Sequence, residues 1–502
     1  MVVRTQSATH FGPEGVVVEI EASLQKSLPA VVITGLPGDV VKESRERIRA
    51  CLAGMGFDVP SSRLVVHLSP ATAKKQGSQL DLGIAVAWLA AEGVLKPKSE
   101  VRRLAFLGEL SLDGRVRGVH GALALAESLL KIPGLETLYL PKENAAETAL
   151  LRSARLAPVE SLAQLIAVLE GKSAQPSVEI SPEVPAPALL DDALDRVRGQ
   201  RLAKRALQVA LAGRHHLLLV GPPGVGKSLL ARAACSLLPP LDENEVVEVL
   251  KNHGLGETRS GRAERPFRSP HHTISAAGLL GGGSGGVVVG EVTLAHAGIL
   301  FLDELPEFRK DALEGLREPL QSGEIHMNRV GSRFTLPARF QLLAAMNPCP
   351  CGYDGDSRRK CSCPPGKAVA YRRKVSGPLY DRLDLSVFLH PPSGTRDETE
   401  PETESFRTTI ARVRALQKAR ESSSGGEGEG QVDLEDGPFA VCGQARAWLD
   451  ALCGREYFSF RSLHKLVRVS RTIADLESSE AIGPDHLREA WELRCRDLAN
   501  WR

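Results

Sequence analysis

Residues 217–228 read LLLVGPPGVGKS, an apolar run followed by a glycine-rich segment, a lysine and a serine. The apolar run is short enough for a buried parallel strand, and the residues after Ser228 carry Ala and Leu at helical spacing. The pattern G-x-x-x-x-G-K-S between a strand and a helix is typical of a phosphate-binding loop. A glycine-rich turn ahead of an ordinary helix is the alternative, although the full eight-residue pattern seldom arises by chance in that context.

This loop predicts how a nucleoside triphosphate is held. Its glycines let backbone N–H groups face a phosphate chain, and the following helix adds the partial positive charge of its N-terminus. We expect Lys227 to reach the β- and γ-phosphates of ATP and Ser228 to bind Mg²⁺. The predicted nucleotide-binding positions of the loop are Gly221, Pro222, Pro223, Gly224, Val225, Gly226, Lys227 and Ser228.

Residues 299–304, ILFLDE, complement the loop. Four apolar residues predict a central strand, and two carboxylates follow at the end where open α/β sheets bind ligands. We expect Asp303 to hold Mg²⁺ with the nucleotide and Glu304 to polarise the attacking water, which together make a hydrolysis site. An apolar strand followed by Asp-Glu is weak evidence alone, but the loop upstream makes the pair specific.

Composition limits the class of protein. A chain of 502 residues is too long for one hydrophobic core, and about three domains are expected. The 63 Lys and Arg residues barely exceed the 61 Asp and Glu residues, so any nucleic-acid surface must be local. We expect a cytoplasmic protein with no membrane partner, because the chain has no apolar run near 18 residues and no signal-peptide core.

Residues 1–172 predict an α+β domain, with a hairpin at Asp113-Gly114. Within it, KKQGSQLDLG (74–83) and GELSLDGRVRGVHGALAL (108–125) resemble the proteolytic domain of Lon-type serine-lysine proteases. In that family a lysine activates a nucleophilic serine, and the matching positions here hold Gln79 and Leu123. The resemblance therefore implies a Lon-like fold without peptidase activity, which serves as a scaffold or as a binding or assembly surface.

The rest of the chain divides by composition. Residues 173–195 mix proline with acidic residues and predict a linker, and residues 391–437 predict an acidic, flexible segment around one helix. Between them, residues 196–390 resemble the core of AAA+ ATPases, with a parallel sheet and with residues 198–200 bordering the adenine. Residues 438–502 have a helical pattern throughout, which is similar to the helical lid of those proteins.

After Glu304 the sequence predicts a helix over residues 310–322, and a predicted hairpin then precedes the next core strand. Residues 325–328 and 333–336 can pair, and the tip between them carries Arg329 and Arg333. The strand that follows ends at Asn347, which fits the water-orienting residue called sensor 1. Such a hairpin resembles that of minichromosome-maintenance helicases and magnesium chelatases, which implies that Arg329 and Arg333 contact DNA phosphate. Without the resemblance, an exposed basic turn would be a solvated loop.

Two other clusters offer ligand-type side chains. Cys349, Cys351, Cys361 and Cys363 form two tight pairs around a nine-residue polar loop, and four thiols suit tetrahedral Zn²⁺. The spacing is C-x-C instead of C-x-x-C, so reduced free thiols stay an alternative. His271 and His272 are adjacent but have no cysteine or carboxylate at ligand spacing, so we expect them to be hydrogen-bonding residues. Basic residues near the cysteines supply a local positive surface: Arg358, Arg359, Lys360, Arg372, Arg373 and Lys374.

Two arginines are assigned by resemblance. SGPLYDRLDL (376–385) looks like an arginine-finger segment, in which Arg382 reaches the ATP of a neighbouring subunit. The alternative is an arginine at a helix end that pairs with Asp381 or Asp384. Arg461 corresponds to sensor 2, a phosphate contact from the lid, and otherwise it is a solvent-facing arginine. A finger acting between subunits requires a homo-oligomer, and the resemblance implies a hexamer.

The combination of these elements resembles the ComM/YifB family of magnesium-chelatase-like ATPases over essentially the whole chain. That resemblance implies a hexameric motor that uses ATP and Mg²⁺ to drive helicase or branch-migration activity on single-stranded or branched DNA. The residues alone predict only a ring ATPase that moves a polymer or remodels a partner. A chelatase-type or protein-remodelling ATPase is the second hypothesis, and an ATP-dependent protease, disfavoured by Gln79 and Leu123, is the third.

Overall fold

A computed structural model describes most of the chain, and its residues form two compact units. Unit 1 comprises the described residues within Met1–Ala186 and Glu243–Ala263, and unit 2 comprises those within Pro187–Asp242 and Glu264–Arg502. The described residues are 2–12, 14–57, 60, 62–71, 75, 77–177, 193–254, 264–282, 288–329, 332–356, 358–391, 402–423, 439–455 and 460–494.

Within the described residues, the strands form one large sheet in each unit and three two-stranded sheets. Their bounds are β1 Val2–Phe11, β2 Glu14–Gln25, β3 Ala30–Thr34, β4 Arg63–Ser69, β5 Leu104–Phe106, β6 Glu109–Leu110, β7 Val116–Arg117, β8 Thr137–Pro141, β9 Leu156–Val159, β10 Leu217–Val220, β11 Phe267–Arg268, β12 Gly281–Gly282, β13 Val288–Val289, β14 Ile299–Leu302, β15 Glu324–Arg329, β16 Ser332–Pro337, β17 Gln341–Met346 and β18 Leu385–Phe388.

The helices vary from single turns to six turns, and among the described residues none is long and apolar enough to cross a membrane. The α-helices are α1 Asp39–Gly54, α2 Asp81–Ala91, α3 Ala122–Leu130, α4 Ala145–Thr148, α5 Leu162–Leu169, α6 Arg201–Gly213, α7 Lys227–Leu237, α8 Glu243–Gly254, α9 Ala276–Leu280, α10 Glu291–Leu294, α11 Lys310–Gly315, α12 Pro319–Ser322, α13 Lys367–Arg372, α14 Gly377–Tyr380, α15 Thr403–Ser423, α16 Gly443–Arg455, α17 Phe460–Leu476 and α18 Pro484–Glu492. In the part of the chain that the structure describes, 3₁₀ turns span Val101–Arg103, Lys142–Asn144, Ala149–Leu151 and Leu305–Glu307.

Unit 1 contains a mixed seven-stranded sheet in the order β3-β4-β2-β1-β5-β8-β9. β2 pairs antiparallel with β1 and β4, and the remaining neighbours run parallel. Val18, Ile20 and Ala22 of β2 are fully buried at every second position, which is the period of a strand with one covered face. The hairpin predicted at Asp113-Gly114 is confirmed, because β6 and β7 pair antiparallel on either side of it.

Helix α8 belongs to unit 1 although its neighbours in sequence belong to unit 2. It lies against α3, and Lys251 of α8 forms an ion pair with Glu127 of α3. Arg152 and Glu243 form a second pair at 2.6 Å. At the end of α8, a Cβ on Gly254 would lie 2.7 Å from the Cα of Gly121, so the two backbones touch.

Unit 2 is built on five parallel strands in the order β11-β14-β17-β10-β18. β10, β14 and β17 are buried along their whole length, as expected for parallel strands covered on both faces. Helices α6 and α7 lie on the same hydrophobic core as these strands. The predicted α/β fold with a parallel sheet is confirmed.

One helix prediction in unit 2 is wrong. A single helix was expected over residues 310–322, but α11 ends at Gly315 and α12 begins at Pro319. Proline lacks a backbone N–H and its ring collides with the preceding turn, so it is tolerated at the start of a helix and not inside one. The break directs the chain into β15.

The last helices, α16, α17 and α18, form the predicted helical segment, which we call the lid. Its buried side chains join the same hydrophobic core as the strands of unit 2. Lys465 of α17 pairs with Asp384 at 3.0 Å, and both side chains are largely buried. Asp384 also accepts a hydrogen bond from the backbone N–H of His216 at 2.8 Å, just before β10. The lid is therefore tied to the start of the central strand.

Candidate active site

Three neighbouring strands of unit 2, β14, β17 and β10, run parallel and end at one edge of the sheet. Asp303 and Glu304 follow β14, Asn347 follows β17, and Gly221 follows β10. The carboxyl edge of a parallel sheet is where such folds bind ligands. The sheet topology therefore brings together the residues that the sequence predicts for ATP binding and hydrolysis.

The loop between β10 and α7 has the backbone that its glycines predict. Gly224 and Gly226 have φ angles of 80° and 98°, a region that residues with a Cβ rarely adopt. A Cβ on Gly221 would lie only 2.7 Å from the carbonyl oxygen of Leu389. Helix α7 begins at Lys227, so the loop leads directly into a helix N-terminus.

Lys227 is buried and is held between the loop and Asn347. Its Nζ donates to the carbonyl oxygens of Gly221 at 2.7 Å and Pro222 at 2.8 Å, and to Oδ1 of Asn347 at 3.0 Å. Burial lowers the pKa of Lys227 to about 8, against the opposing charges of Asp303 and Glu304. The predicted phosphate-binding lysine and the predicted sensor 1 residue are therefore in direct contact.

Ser228 and Asp303 provide a set of oxygens suited to Mg²⁺. The Oγ of Ser228 donates to Oδ2 of Asp303 at 2.7 Å, and Oδ1 of Asp303 accepts from the backbone N–H of Glu304 at 2.9 Å. Hydroxyl and carboxylate oxygens beside a phosphate site are the ligands that Mg²⁺ takes in nucleotide-binding proteins. The chemistry of this pair fits the predicted ion.

Glu304 has an unusual backbone and an unpredicted partner. Its φ of 53° is left-handed, which is uncommon for a residue with a side chain and clusters at functional sites. Nδ1 of His272 lies 3.2 Å from its Oε2, while Nδ1 of His271 lies 2.9 Å from Oγ1 of Thr273. His271 is a hydrogen-bonding residue, as predicted, whereas His272 lies at ion-pair distance from Glu304. The sequence gives no signal that one of them contacts the predicted general base.

The segment expected to border the adenine lies beside the phosphate loop. Gln200 has a left-handed φ of 56°, and its Nε2 donates to the carbonyl oxygens of Val225 at 3.3 Å and His390 at 2.7 Å. This side chain links the start of α6 to the phosphate loop and to the second residue after β18. Its bridging role was not apparent from the sequence pattern.

The four cysteines of residues 349–363, called here the cysteine loop, converge in space. Their Sγ atoms all lie within 4.8 Å of one another, and three of the separations are 3.2, 3.5 and 3.6 Å. Four thiolates around Zn²⁺ at about 2.3 Å would have sulfur atoms about 3.8 Å apart, so the cluster fits the ion. Although burial opposes ionisation, hydrogen bonds from the N–H groups of Tyr353 and Ser362 lower the pKa of Cys351 to about 5, which favours a ligand thiolate.

Arg382 and Arg461, the two arginines assigned by resemblance, lie near the contact between the lid and residues 381–384. Arg382 donates to the carbonyl oxygens of Arg317 at 2.9 Å and Pro378 at 2.8 Å, and to Oε1 of Gln321 at 2.9 Å. Arg461, at the start of α17, lies 3.8 Å from Oδ2 of Asp381. The structure therefore places Arg461 next to the segment that carries Arg382.

The predicted hairpin is present as β15 and β16. Arg329 pairs with Ser332 and Arg333 pairs with Asn328 in an antiparallel register. Residues 330 and 331, at its tip, lie outside the described residues. The backbone thus carries Arg329 and Arg333 to the end of the hairpin.

The positions that match the Lon-type dyad lie in the interior of unit 1. Gln79 is buried, and its Nε2 donates to Oγ1 of Thr9 at 3.2 Å. Leu123 is buried in α3. Ser78, which precedes Gln79 in the sequence, donates a hydrogen bond from its hydroxyl to the carboxylate of Glu109. Neither matching position offers a nucleophile or an amine base.

The chain was compared with families of known proteins. Residues 193–396 match the model described as magnesium chelatase, subunit ChlI. Residues 20–144 match subunit ChlI of Mg-chelatase, and residues 400–494 match the ChlI C-terminal model. The three matches together extend over both units.

Individual relatives agree with these matches. The chain is 38% identical over 505 residues to uncharacterized protein YifB of Salmonella typhimurium, covering 99% of this chain and 97% of that protein. It is 36% identical over 504 residues to competence protein ComM of Haemophilus influenzae, covering 97% and 96%. A probable DNA helicase, MCM9 of Oryza sativa subsp. indica, is 26% identical over 177 residues, covering 35% and 22%. The chain therefore belongs to the ChlI family of magnesium-chelatase-like AAA+ proteins, together with YifB and ComM.

Proposed function

We propose that this protein is a Mg²⁺-dependent ATPase that works as a hexameric ring on single-stranded or branched DNA, as a helicase or branch-migration motor. The observation that carries the ATPase assignment is the convergence of Lys227, Ser228, Asp303, Glu304 and Asn347 at one sheet edge. Family membership supports the same activity. The proposed location of this activity is the cytoplasm.

The residues of the site have distinct roles in this proposal. Lys227 binds the β- and γ-phosphates of ATP, exchanging its carbonyl contacts for phosphate oxygens. Ser228 and Asp303 hold Mg²⁺, which supplies charge stabilisation for phosphoryl transfer. Glu304 accepts a proton from the attacking water, and Asn347 orients that water. Lys227 already contacts Asn347 and Ser228 already contacts Asp303, so these two pairs are in place at the sheet edge where the γ-phosphate would bind.

Arg382 completes the site in a neighbouring subunit. Its hydrogen bonds in the described part of the chain go to Arg317, Pro378 and Gln321, which hold the side chain near the lid contact. An arginine delivered from a second subunit can accelerate phosphoryl transfer by about 10³- to 10⁵-fold. The neighbouring Arg461 would act on nucleotide phosphate from the lid. This arrangement is the reason for proposing a ring.

DNA contact is assigned to the hairpin of β15 and β16. Arg329 and Arg333 lie at its end, and lysine and arginine contacts to phosphate supply most of the sequence-independent affinity for DNA. The names of two relatives, a competence protein and a probable DNA helicase, support the same substrate. The exposed Arg358, Arg359 and Lys360 of the cysteine loop add local positive charge.

Release of a labelled strand from forked DNA tests this proposal. The wild type should release the strand only with ATP and Mg²⁺, and Lys227→Ala should release none. Arg329→Ala should slow release strongly, whereas Arg102→Ala, which removes the same charge from an exposed site in unit 1, should not. ATP hydrolysis without strand release or DNA binding would contradict the DNA assignment.

The family matches favour a second candidate function. A magnesium-chelatase-like or protein-remodelling ATPase would use the same five residues without a DNA substrate. Turnover that responds to a protein partner but not to any DNA would favour this function. The ATP site alone does not choose between the two.

We also propose that the cysteine loop holds Zn²⁺ through Cys349, Cys351, Cys361 and Cys363. The fit of the four sulfur atoms supports the ion. Metal analysis of protein purified from cells should find one zinc per chain, and Cys363→Ser should reduce it. Four freely titratable thiols with substoichiometric zinc would contradict the proposal.

A further inference from the structure

We propose that the cysteine loop is a positioning element of the ATP site, and that Gly352 transmits its position to the phosphate loop. The inference depends on the proposed ATPase function and adds a regulatory ligand to it. Zinc bound by the four cysteines would then set the geometry of nucleotide binding and hydrolysis as well as the fold of the loop itself. Three separate contacts support this role.

The first contact joins Gly352 to the phosphate loop. Gly352 is buried and has a φ of 87°. A Cβ at this position would lie 2.6 Å from Cδ and 3.3 Å from Cγ of Pro223. Glycine is therefore required twice, for the left-handed backbone and for the close approach of two chains. The cysteine loop lies directly against the loop that cradles phosphate.

The second contact is covalent and short. Asn347, which accepts a hydrogen bond from Lys227, is two residues before Cys349. The carbonyl oxygen of Cys349 in turn accepts from the backbone N–H of Gly352 at 2.9 Å. Since two residues span at most about 7 Å, a displacement of Cys349 moves Asn347 with it.

The third contact anchors the loop from helix α13. Arg372 is buried and donates to the carbonyl oxygen of Pro348 at 3.0 Å and to Asp354 at 2.6 Å. Just after α13, Lys374 pairs with Glu307 at 3.2 Å, three residues after the predicted general base. The cysteine loop is thus fixed both to α13 and to the phosphate loop, and interiors packed in this way transmit displacement.

The four cysteines are divided between the two halves of the cysteine loop. Cys349 and Cys351 are in the half of the loop that contacts Asn347 and Pro223, whereas Cys361 and Cys363 are in the other half. One zinc ion would bind the two halves together. Without the ion, the half that supports the ATP site loses this restraint, so nucleotide affinity and turnover should both fall.

Two glycines of the same loop make a matched test. Gly352→Ala introduces a side chain against Pro223, while Gly355→Ala introduces one at a similar φ of 81° with a single neighbour at 3.9 Å. Both variants carry similar backbone strain, so the contact with the phosphate loop distinguishes them. Zinc content, affinity for a fluorescent ATP analogue and ATP turnover would be measured for each full-length protein.

We expect both variants to retain zinc. Gly352→Ala should lower ATP turnover by about 10- to 100-fold and weaken binding of the analogue, because a displacement near 1 Å has effects of that size. Gly355→Ala should stay within about twofold of the wild type. Equal behaviour of the two variants would overturn the inference.

Removal of zinc from the wild type gives an independent measurement, which also serves if Gly352→Ala fails to fold. A zinc-selective chelator with excess Mg²⁺ should weaken analogue binding, and added zinc should restore it. Binding that does not depend on zinc would contradict the role of the metal. A wild type that binds the analogue but never hydrolyses ATP would instead contradict the proposed function, while the Gly352 and Gly355 affinities would still test the positioning role.

Discussion

Glu304 shows how one residue acquires its role from neighbours far along the chain. Its carboxylate follows β14 as predicted, but its backbone is left-handed and its partner His272 comes from the loop after β11. A catalytic base is effective when a third group orients it. We therefore interpret His272 as a positioning residue that holds the carboxylate of Glu304 for the attacking water.

Replacement of His272 tests this interpretation. His272→Ala should lower ATP turnover about tenfold, because the carboxylate loses its orienting partner, with little change in ATP affinity. In a Glu304→Gln background the same change should have no further effect, because His272 acts through Glu304. Steady-state turnover and nucleotide affinity would be measured for the two single variants and the double variant. An unchanged or faster His272→Ala enzyme would contradict the assignment.

The sequence predicts site residues that belong to strand-and-loop motifs better than residues that reach the site from irregular loops. Lys227, Ser228 and Asp303 belong to patterns whose spacing is fixed by a strand, a loop and a helix, so their meeting could be predicted. His272 and Gly352 contact partners remote in sequence, and no spacing rule links them. Such contacts depend on how loops pack after the sheet has formed.

At the scale of elements, the lid is joined to the core by a buried ion pair. Lys465 of α17 lies 3.0 Å from Asp384, just before β18. Although burial opposes ionisation, Lys465 and the nearby His216 and His215 hold the pKa of Asp384 well below its usual value. The ionised carboxylate is therefore stabilised by the folded structure.

Lys465→Met should destabilise the protein by about 3–5 kcal/mol at neutral pH, because it leaves a buried carboxylate without its cation. Because the pKa of Asp384 is lowered in the folded state, its carboxylate contributes fully to the free energy of unfolding above about pH 4. This contribution is lost as the pH falls further. The difference in the free energy of unfolding between Lys465→Met and the wild type should therefore be smaller in acid. Denaturant unfolding at pH 7 and pH 3 measures it.

An exposed pair in the next helix supplies the control. Arg488 and Asp485 are 2.9 Å apart and both side chains are largely exposed, so Arg488→Met should change stability little. Equal destabilisation by Arg488→Met and Lys465→Met would show that burial of the Lys465–Asp384 pair adds nothing to stability.

Element assignments from the sequence failed where the chain departs from a simple period. The break before Pro319 divides a helical pattern that otherwise continues from α11 into α12. Helix α8 lies in sequence between α7 and β11, yet it packs with α3 in unit 1. Amphipathic spacing predicts that a helix buries one face but not which partner covers it.

At the scale of the whole molecule, the proposal depends on a site shared by two subunits. Lys227 and Arg382 belong to different halves of that site. Alanine substitutions of the two residues should therefore inactivate the protein for different reasons. Arg382→Ala should abolish turnover while leaving ATP binding nearly intact, whereas Lys227→Ala should lose binding. A shared site also predicts that mixing the two proteins recovers activity.

The mixing experiment has a quantitative expectation. In randomly mixed rings, about a quarter of the sites would combine an intact Lys227 with an intact Arg382 from the neighbour. An equal mixture should therefore regain up to roughly that share of wild-type turnover. Lys227→Ala mixed with the double variant Lys227→Ala/Arg382→Ala is the control and should stay inactive. A mixture as inactive as its components would argue that Arg382 acts within its own chain.

In the proposed function, DNA engages this ATPase through the hairpin of β15 and β16, and ATP turnover measured with and without single-stranded DNA tests that contact. DNA should accelerate the wild type, and Lys227→Ala should show no turnover in either condition. Arg329→Ala should hydrolyse ATP at the unstimulated rate but respond weakly to DNA, while Arg102→Ala should respond normally. A wild type whose turnover is unchanged by DNA, and which binds none, would contradict the account.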